Sequence, residues 1–229
     1  NDKQEQLDAA LFASAEKQLT SFALLRGGLR YAYNSAFESP LLYSLQTKFT
    51  LPHSQIIKLA YGKGFRAPSL KELYLDFNDS RHEVFGDSTL MSETSHSFTA
   101  SFTNYYRAGK AEMSTTVDGF YNNIENKIEL IVTGPIQAKY GNIGQYQSVG
   151  GDISQKILYE DFGVNASFNY TGVYNGVEGS KKEFFFSPQV VINPTYTWSK
   201  QNLSANLFFN YFGEVSRVFS NTDSANVNI

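Results

Sequence analysis

The sequence contains no cysteine. That excludes a disulfide framework, a zinc–thiolate site and a thiol nucleophile. It has no surplus of positive charge either: 19 Lys and Arg stand against 22 Asp and Glu, a formal net charge of -3. A chain without basic excess lacks the electrostatic footprint of a nucleic-acid binder. Charged residues of both signs reach only 18%, which is low for a domain wholly surrounded by water. No run approaches 18 consecutive apolar residues, so no stretch is suited to a transmembrane helix. Phosphate-binding glycine loops, the G-x-S-x-G elbow and the H-E-x-x-H metal motif are missing, and the chain is read as non-enzymatic. It opens Asn1-Asp2-Lys3 with no Met and no visible signal peptide, and is read as a mature or cut product.

What the sequence has is aromatic alternation. There are 19 Phe and 15 Tyr beside a single Trp. Phe162, Val164, Ala166, Phe168 and Tyr170 alternate with Gly163, Asn165, Ser167, Asn169 and Thr171. Leu203, Ala205, Leu207, Phe209 and Tyr211 do the same against Asn202, Ser204, Asn206, Phe208 and Asn210. Similar runs start at Leu41, Ser97, Ala111 and Val190. Such a period of two belongs to strands with one apolar and one polar face. The polar positions are mainly Ser, Thr, Asn and Gln rather than Lys and Glu. That mix suits lipid on one side and a wet lumen on the other better than a soluble sandwich does.

The pattern gives about ten strands, at 4–17, 20–35, 41–51, 55–65, 94–107, 110–128, 137–159, 162–175, 184–199 and 202–214. Several exceed the globular norm, and ~9–11 residues suffice to cross a bilayer. Short connections fall at Lys17–Thr20, Leu51–Ser54, Arg107–Lys110, Glu160–Asp161 and Lys200–Asn202. Long ones fall at Ala36–Pro40, Arg66–Glu93, Glu129–Ile136, Asn175–Glu183 and after Glu214. Short turns on one side and long loops on the other describe an outer-membrane barrel. The expected fold is therefore all-β, an antiparallel transmembrane β-barrel. The chain's polar final stretch cannot close a sheet, so residues 1–229 are expected to be a partial barrel domain. Tyr140, Tyr146, Tyr170, Tyr174, Tyr196 and Trp198 are expected in the aromatic girdles that flank the lipid band.

Residues 66–93 interrupt the pattern. Pro68 ends a strand, since proline cannot donate to a ladder. Ser69 followed by Glu72 is a capping-box spacing ahead of Leu73, Tyr74 and Leu75, so one or two helical turns are expected at 69–75. A polar tip follows around His82, with Asp76, Asn78, Asp79, Arg81 and Glu83. Gly86-Asp87-Ser88 then makes a turn.

The stretch Tyr61-Gly62-Lys63-Gly64-Phe65-Arg66-Ala67-Pro68-Ser69-Leu70-Lys71-Glu72-Leu73-Tyr74 resembles the corresponding segment of TonB-dependent outer-membrane receptors. Its Phe65-Arg66-Ala67-Pro68 box is similar to that of their haem-uptake branch. In that branch a second box, Asn-Pro-Asn-Leu or Asn-Pro-Asp-Leu, follows, with a His between the two. Here Gly86-Asp87-Ser88-Thr89-Leu90 and Glu93-Thr94-Ser95 stand in its place; the Leu is kept and the Asn-Pro is not. His82 lies where the intervening His would lie.

The resemblance implies a barrel of about 22 strands filled by a plug. The plug and the remaining strands would lie outside this chain. It also implies an outer-membrane location in a Gram-negative bacterium and energy supplied by the inner-membrane TonB complex through the plug. The ligand would be bulky and scarce, haem or another iron chelate, with a haem-carrying protein as a further partner and no intrinsic cofactor. His82 would be the ligand to haem iron, with Arg81 or Lys71 meeting propionates. Arg66 and Pro68 have a structural reading beside the functional one: they end the strand and aim the loop. A passive porin, a siderophore or vitamin receptor, and an outer-membrane enzyme using Ser95 or Ser97 beside His96 are the competing readings.

Overall fold

The structure, a computed structural model, describes residues 4–176 and 183–214. Its strands are β1 (Asp8–Thr20), β2 (Ala23–Asn34), β3 (Leu42–Leu51), β4 (Gln55–Arg66), β5 (Asp76–Asn78), β6 (Glu83–Phe85), β7 (Glu93–Ala108), β8 (Ala111–Val132), β9 (Gln137–Tyr159), β10 (Phe162–Gly176), β11 (Phe185–Trp198), β12 (Leu203–Asn206) and β13 (Phe209–Phe212). The one helix among the described residues, α1, spans Leu70–Tyr74. The strands form a single sheet in the order β1-β2-β3-β4-β7-β8-β9-β10-β11-β12, with β13 also paired to β11. Every neighbour in that series is antiparallel. β12 and β13 are one pass broken at Leu207–Phe208, so the pattern of ten passes holds.

Register shows why the alternation matters. Directly opposed residues share a face. One row across the sheet runs Ala23, Phe49, Ile57, Phe102, Val117, Ile153, Phe168, Val190 and Tyr211. The row one residue away points to the opposite face and runs Leu24, Lys48, Lys58, Ser101, Asp118, Asp152, Asn169 and Gln189. A slip of one residue anywhere would exchange these faces. The apolar side chains are not collected into a core: Phe162, Phe168, Leu203, Leu207 and Phe209 are all exposed. An apolar sheet face of this extent is stable only against lipid, and the polar face then lines the lumen.

The band ends on the loop side in a row of Tyr43, Lys63, His96, Asn123, Gln147 and Val173's neighbour Tyr174, beside an aromatic row of Tyr61, Phe98 and Tyr121. Tyr106, Tyr159, Phe162, Tyr196 and Trp198 mark the turn side of the same face. β8 continues from Asn123 to Val132, roughly 30 Å of extended chain past the polar row.

Four expectations need correcting. The first turn is not Lys17–Thr20: β1 pairs with β2 as far as Thr20 and the chain turns at Ser21 and Phe22. Glu129–Ile136 is not a long loop, because β8 and β9 stay paired out to Val132 and Ala138 and only a four-residue turn joins them. Their ladder outlasts the membrane, so the lipid-facing alternation stops before the strands do. Tyr146 stands opposite Ile124 and Ser95's row on the polar face, with the Lys127 ammonium 4.0 Å from its ring centroid. Tyr140 packs into the loop core instead of a girdle. Part of the Asn175–Glu183 connection, and everything after Glu214, lies outside the described residues.

Candidate functional site

The candidate site is the segment between β4 and β7, on the long-loop side. Its scaffold begins at Arg66, the last residue of β4. The guanidinium donates from Nε to Glu93 Oε2 at 2.9 Å and from Nη2 to Glu93 Oε1 at 2.6 Å. Nη1 reaches both oxygens of Glu72 at 2.9 Å. Glu93 Oε1 also accepts from the Ile128 backbone N–H at 2.7 Å. One side chain therefore ties β4, α1, β7 and, through Glu93, β8. The Glu93 carboxylate pushes the guanidinium pKa up against partial burial, and Glu72 adds to the effect.

Pro68 is fully buried and Ser69 caps α1 as expected. The Glu72 N–H donates to Ser69 Oγ at 3.3 Å, and the Ser69 N–H donates to Glu72 Oε2 at 2.7 Å, a complete capping box. Partial burial pushes the Glu72 carboxyl up, but the Ser69 amide and hydroxyl and the Arg66 guanidinium outweigh it and hold it below the usual carboxylate range.

Leu73 from α1 meets Leu90 and Ile128 in a small buried cluster flanked by Phe37 and Tyr140. Leu90 is the leucine that the second box keeps. Asp87, from the same stretch, accepts from the Thr89 hydroxyl at 2.6 Å and pairs with Lys139 at 2.9 Å. The Thr89 hydroxyl, Lys139 and the Thr89 N–H hold its carboxyl at about 2. The two boxes are thus parts of one knot: Pro68, Leu73 and Leu90 fill it, and Arg66 and Asp87 fasten it to the barrel.

The knot presents a ribbon that sequence reading took for a loop tip. β5 and β6 pair antiparallel, and β6 adds in parallel to the edge of β9, with Glu83 to Phe85 against Gln137 to Lys139. Gly86 makes this possible. A Cβ there would lie 2.7 Å from the backbone of Leu73, Tyr74 and Leu75. Gln137 Nε2 donates to Glu83 Oε2 at 3.1 Å, and Asn142 bridges Met91 by donating to its carbonyl and accepting from its N–H.

At the turn of this ribbon, Asp79 Oδ1 accepts from the Arg81 and His82 N–H groups, both at 2.7 Å. These amides hold the Asp79 carboxyl below its ordinary value. The His82 side chain is 71% exposed, with Nδ1 3.8 Å from Asp79 Oδ1. Arg81 is exposed beside it. Lys71, by contrast, sits back on α1. Among the described residues no group of three His, Asp or Glu could enclose a metal ion. His96 lies on the lipid side of β7, with Nδ1 2.7 Å from the Tyr61 hydroxyl. Ser95 and Ser97 point to the opposite face of that strand, so the sequence neighbours do not form a nucleophile–base pair.

Comparison with known proteins places this geometry. A family model described as "TonB dependent receptor-like, beta-barrel" matches residues 1–228. A probable hemoglobin and hemoglobin-haptoglobin-binding protein 3 of Haemophilus influenzae is 31% identical over 90 residues, 39% of this chain and 8% of that protein. A hemoglobin and hemoglobin-haptoglobin-binding protein C of Haemophilus influenzae is 30% identical over an equal length, with the same coverage. The chain spans about 8% of the length of these curated relatives. Among solved structures, the siderophore receptor PirA from Pseudomonas aeruginosa superposes with a TM-score of 0.71 at 20% identity, covering 91% of this chain and 40% of PirA. The hemophore receptor HasR of Serratia marcescens, solved with its hemophore HasA and heme, gives 0.69 at 13% identity, with 90% and 45% covered. At such identities the likeness is one of fold.

Proposed function

The chain belongs to the TonB-dependent receptor-like β-barrel family, an outer-membrane family of Gram-negative bacteria, and from that premise we propose that it is the loop-bearing part of a receptor for energy-dependent uptake of haem. The barrel in this reading does no covalent chemistry. Its long-loop side collects the ligand. A plug outside these 229 residues, driven by the TonB complex, lets it pass. The family consists of receptors rather than enzymes, and the separation of Ser95 and Ser97 from His96 agrees with that.

The observation that carries the haem reading is the exposed His82 imidazole, held on a ribbon that both sequence boxes anchor. A neutral imidazole is a natural ligand to haem iron, and the exposed Arg81 beside it offers a cation of the kind that pairs with a propionate. Two relatives named for hemoglobin binding support the same cargo. A haem-carrying protein is then a natural outer partner. A ferric siderophore is the second reading, favoured by the fold likeness to PirA.

The test uses iron-starved cells carrying the full-length receptor and supplied with haem, hemoglobin or a ferric siderophore as sole iron source. Growth on haem that disappears when the TonB complex is deleted is the expected result. Growth on the siderophore alone would overturn the haem assignment. Growth on haem that survives the deletion would overturn active uptake and favour a passive pore.

A further inference from the structure

The lipid-facing wall carries a polar cluster at the loop-side end of its aromatic band. Lys63 of β4 stands directly opposite His96 of β7, one side-chain row beyond the pair Tyr61 and Phe98. The ring centroids of Tyr43 and Tyr61 are 5.8 Å apart, those of Tyr61 and Phe98 4.6 Å, and those of Tyr61 and His96 6.0 Å, so these rings form one patch. His96 Nδ1 lies 2.7 Å from the Tyr61 hydroxyl. Its Nε2 and the Lys63 ammonium have no partner among the described residues. Glu125, the first acidic residue of this face along β8, stands two strands from Lys63 and one row further out.

Immediately inward of the cluster, on the same face, is an apolar groove of about 500 Å³. Leu45, Leu59, Phe98, Ala100, Gly119 and Tyr121 bound it. Ala100 and Gly119 are directly opposed on its floor. A Cβ at Gly119 would meet only the Gly150 carbonyl oxygen, at 3.9 Å, so the space is open to the bilayer. Leu59 lies four residues from Lys63, about 13 Å along β4.

An ammonium on a lipid-facing strand is costly in hydrocarbon. The long stem of lysine carries it toward the interface, and interfacial aromatics mark the level of the headgroups. Lys63, one row beyond Tyr61, therefore meets headgroups without an acidic side chain beside it. A phosphate satisfies this cation, and it satisfies His96 as well. When the Tyr61 hydroxyl donates to Nδ1, the ring proton is on Nε2 and becomes a second donor. The groove below has the depth and the apolar lining that an acyl chain fills. One molecule with a phosphate at one end and hydrocarbon at the other matches both parts.

We propose that Lys63, His96 and this groove form a site for one phosphate-bearing lipid of the loop-side leaflet. Lys63 and His96 Nε2 hold the phosphate, and one acyl chain lies over Ala100 and Gly119 beneath the Tyr61 and Phe98 rings. The site is on the outer wall, apart from the ribbon that bears His82, and stands whichever cargo the receptor takes.

The experiment is native mass spectrometry of the full-length receptor in detergent, mixed with phosphatidic acid, with dioleoylglycerol, which lacks the phosphate, or with inorganic phosphate. Barrel integrity is checked by heat-dependent gel migration. One phosphatidic acid should be retained per barrel, in preference to dioleoylglycerol. Lys63→Gln should weaken its binding about fivefold, the weight of one lysine at a charged membrane surface. Lys58→Gln, on the luminal face of the same strand, should leave it unchanged. Ala100→Leu fills the groove and should lower retention of both lipids; Lys63→Gln decides the matter if that filling prevents assembly. Equal retention of phosphatidic acid by the unaltered receptor and Lys63→Gln would overturn the site. So would an equal loss in Lys58→Gln, which would report unspecific attraction to charge. Inorganic phosphate held as tightly as phosphatidic acid would overturn the lipid as its source, and retention untouched by Ala100→Leu would overturn the groove.

Discussion

Arg66 grips Glu93 with two parallel hydrogen bonds, at 2.9 and 2.6 Å, from the last residue of one strand to the first of the next in the sheet. The chain between them leaves the barrel, forms a capped helix and a ribbon, and returns. The pair closes the neck of that excursion, and Arg66 turns its third nitrogen to the helix cap at Glu72. The Phe65-Arg66-Ala67-Pro68 box thus forms the root of that excursion.

Arg66→Lys keeps the charge and loses the fork. Because the side chain is 44% exposed, the cost is modest, about 1 kcal/mol. Hydrogen exchange should speed up across α1 and the β5–β6 ribbon, while the thermal midpoint of the barrel hardly moves. A barrel that loses stability while the loop stays protected would contradict the assigned role.

Ser69→Ala removes the acceptor for the Glu72 N–H and should destabilise α1 by about 1 kcal/mol. The readout is the exchange of the Glu72 and Leu73 amides. Gly86→Ala should be worse, by about 1–3 kcal/mol, since its Cβ has only backbone to push against. The ribbon should detach from the edge of β9, seen as lost protection of Val84 and Phe85.

Acid should loosen the same region through Asp87. Its folded pKa, about 2, lies below the unfolded value of about 3.9. A depressed carboxylate contributes its full stabilisation above the unfolded value and loses it as pH falls through the folded one. Loop protection should therefore hold from neutrality to about pH 4 and decline between there and about pH 2. Glu72, also held low, declines in the same direction. Asp87→Asn should start with weaker protection and show a shallower acid decline. An identical acid profile in that variant would remove Asp87 from the account.

Much of this was legible in the sequence because lipid imposes a strict rule. An apolar residue at every second position from Phe162 to Tyr170 admits one placement, and the register honours it. The capping box from Ser69 to Glu72 was legible because it needs only four residues. The ribbon was not. Asp76–Asn78 and Glu83–Phe85 are three residues each, too short for a period, and their pairing with Gln137–Lys139 is decided by tertiary contact. The extension of β8 and β9 beyond the bilayer was hidden for a related reason: past Asn123 both faces meet water or loop, so alternation no longer reports a strand. The pairing of Lys63 with His96 was also invisible, since the two become neighbours only through register.

The central claim is that the knot presents His82 to haem iron. The most direct measurement is the absorption spectrum and affinity of haem on the full-length receptor, compared with His82→Ala. The account predicts a changed haem spectrum and binding weaker by about tenfold or more as the coordinating nitrogen is lost. A spectrum and affinity unchanged by His82→Ala would contradict the claim and leave a ferric siderophore as the better cargo.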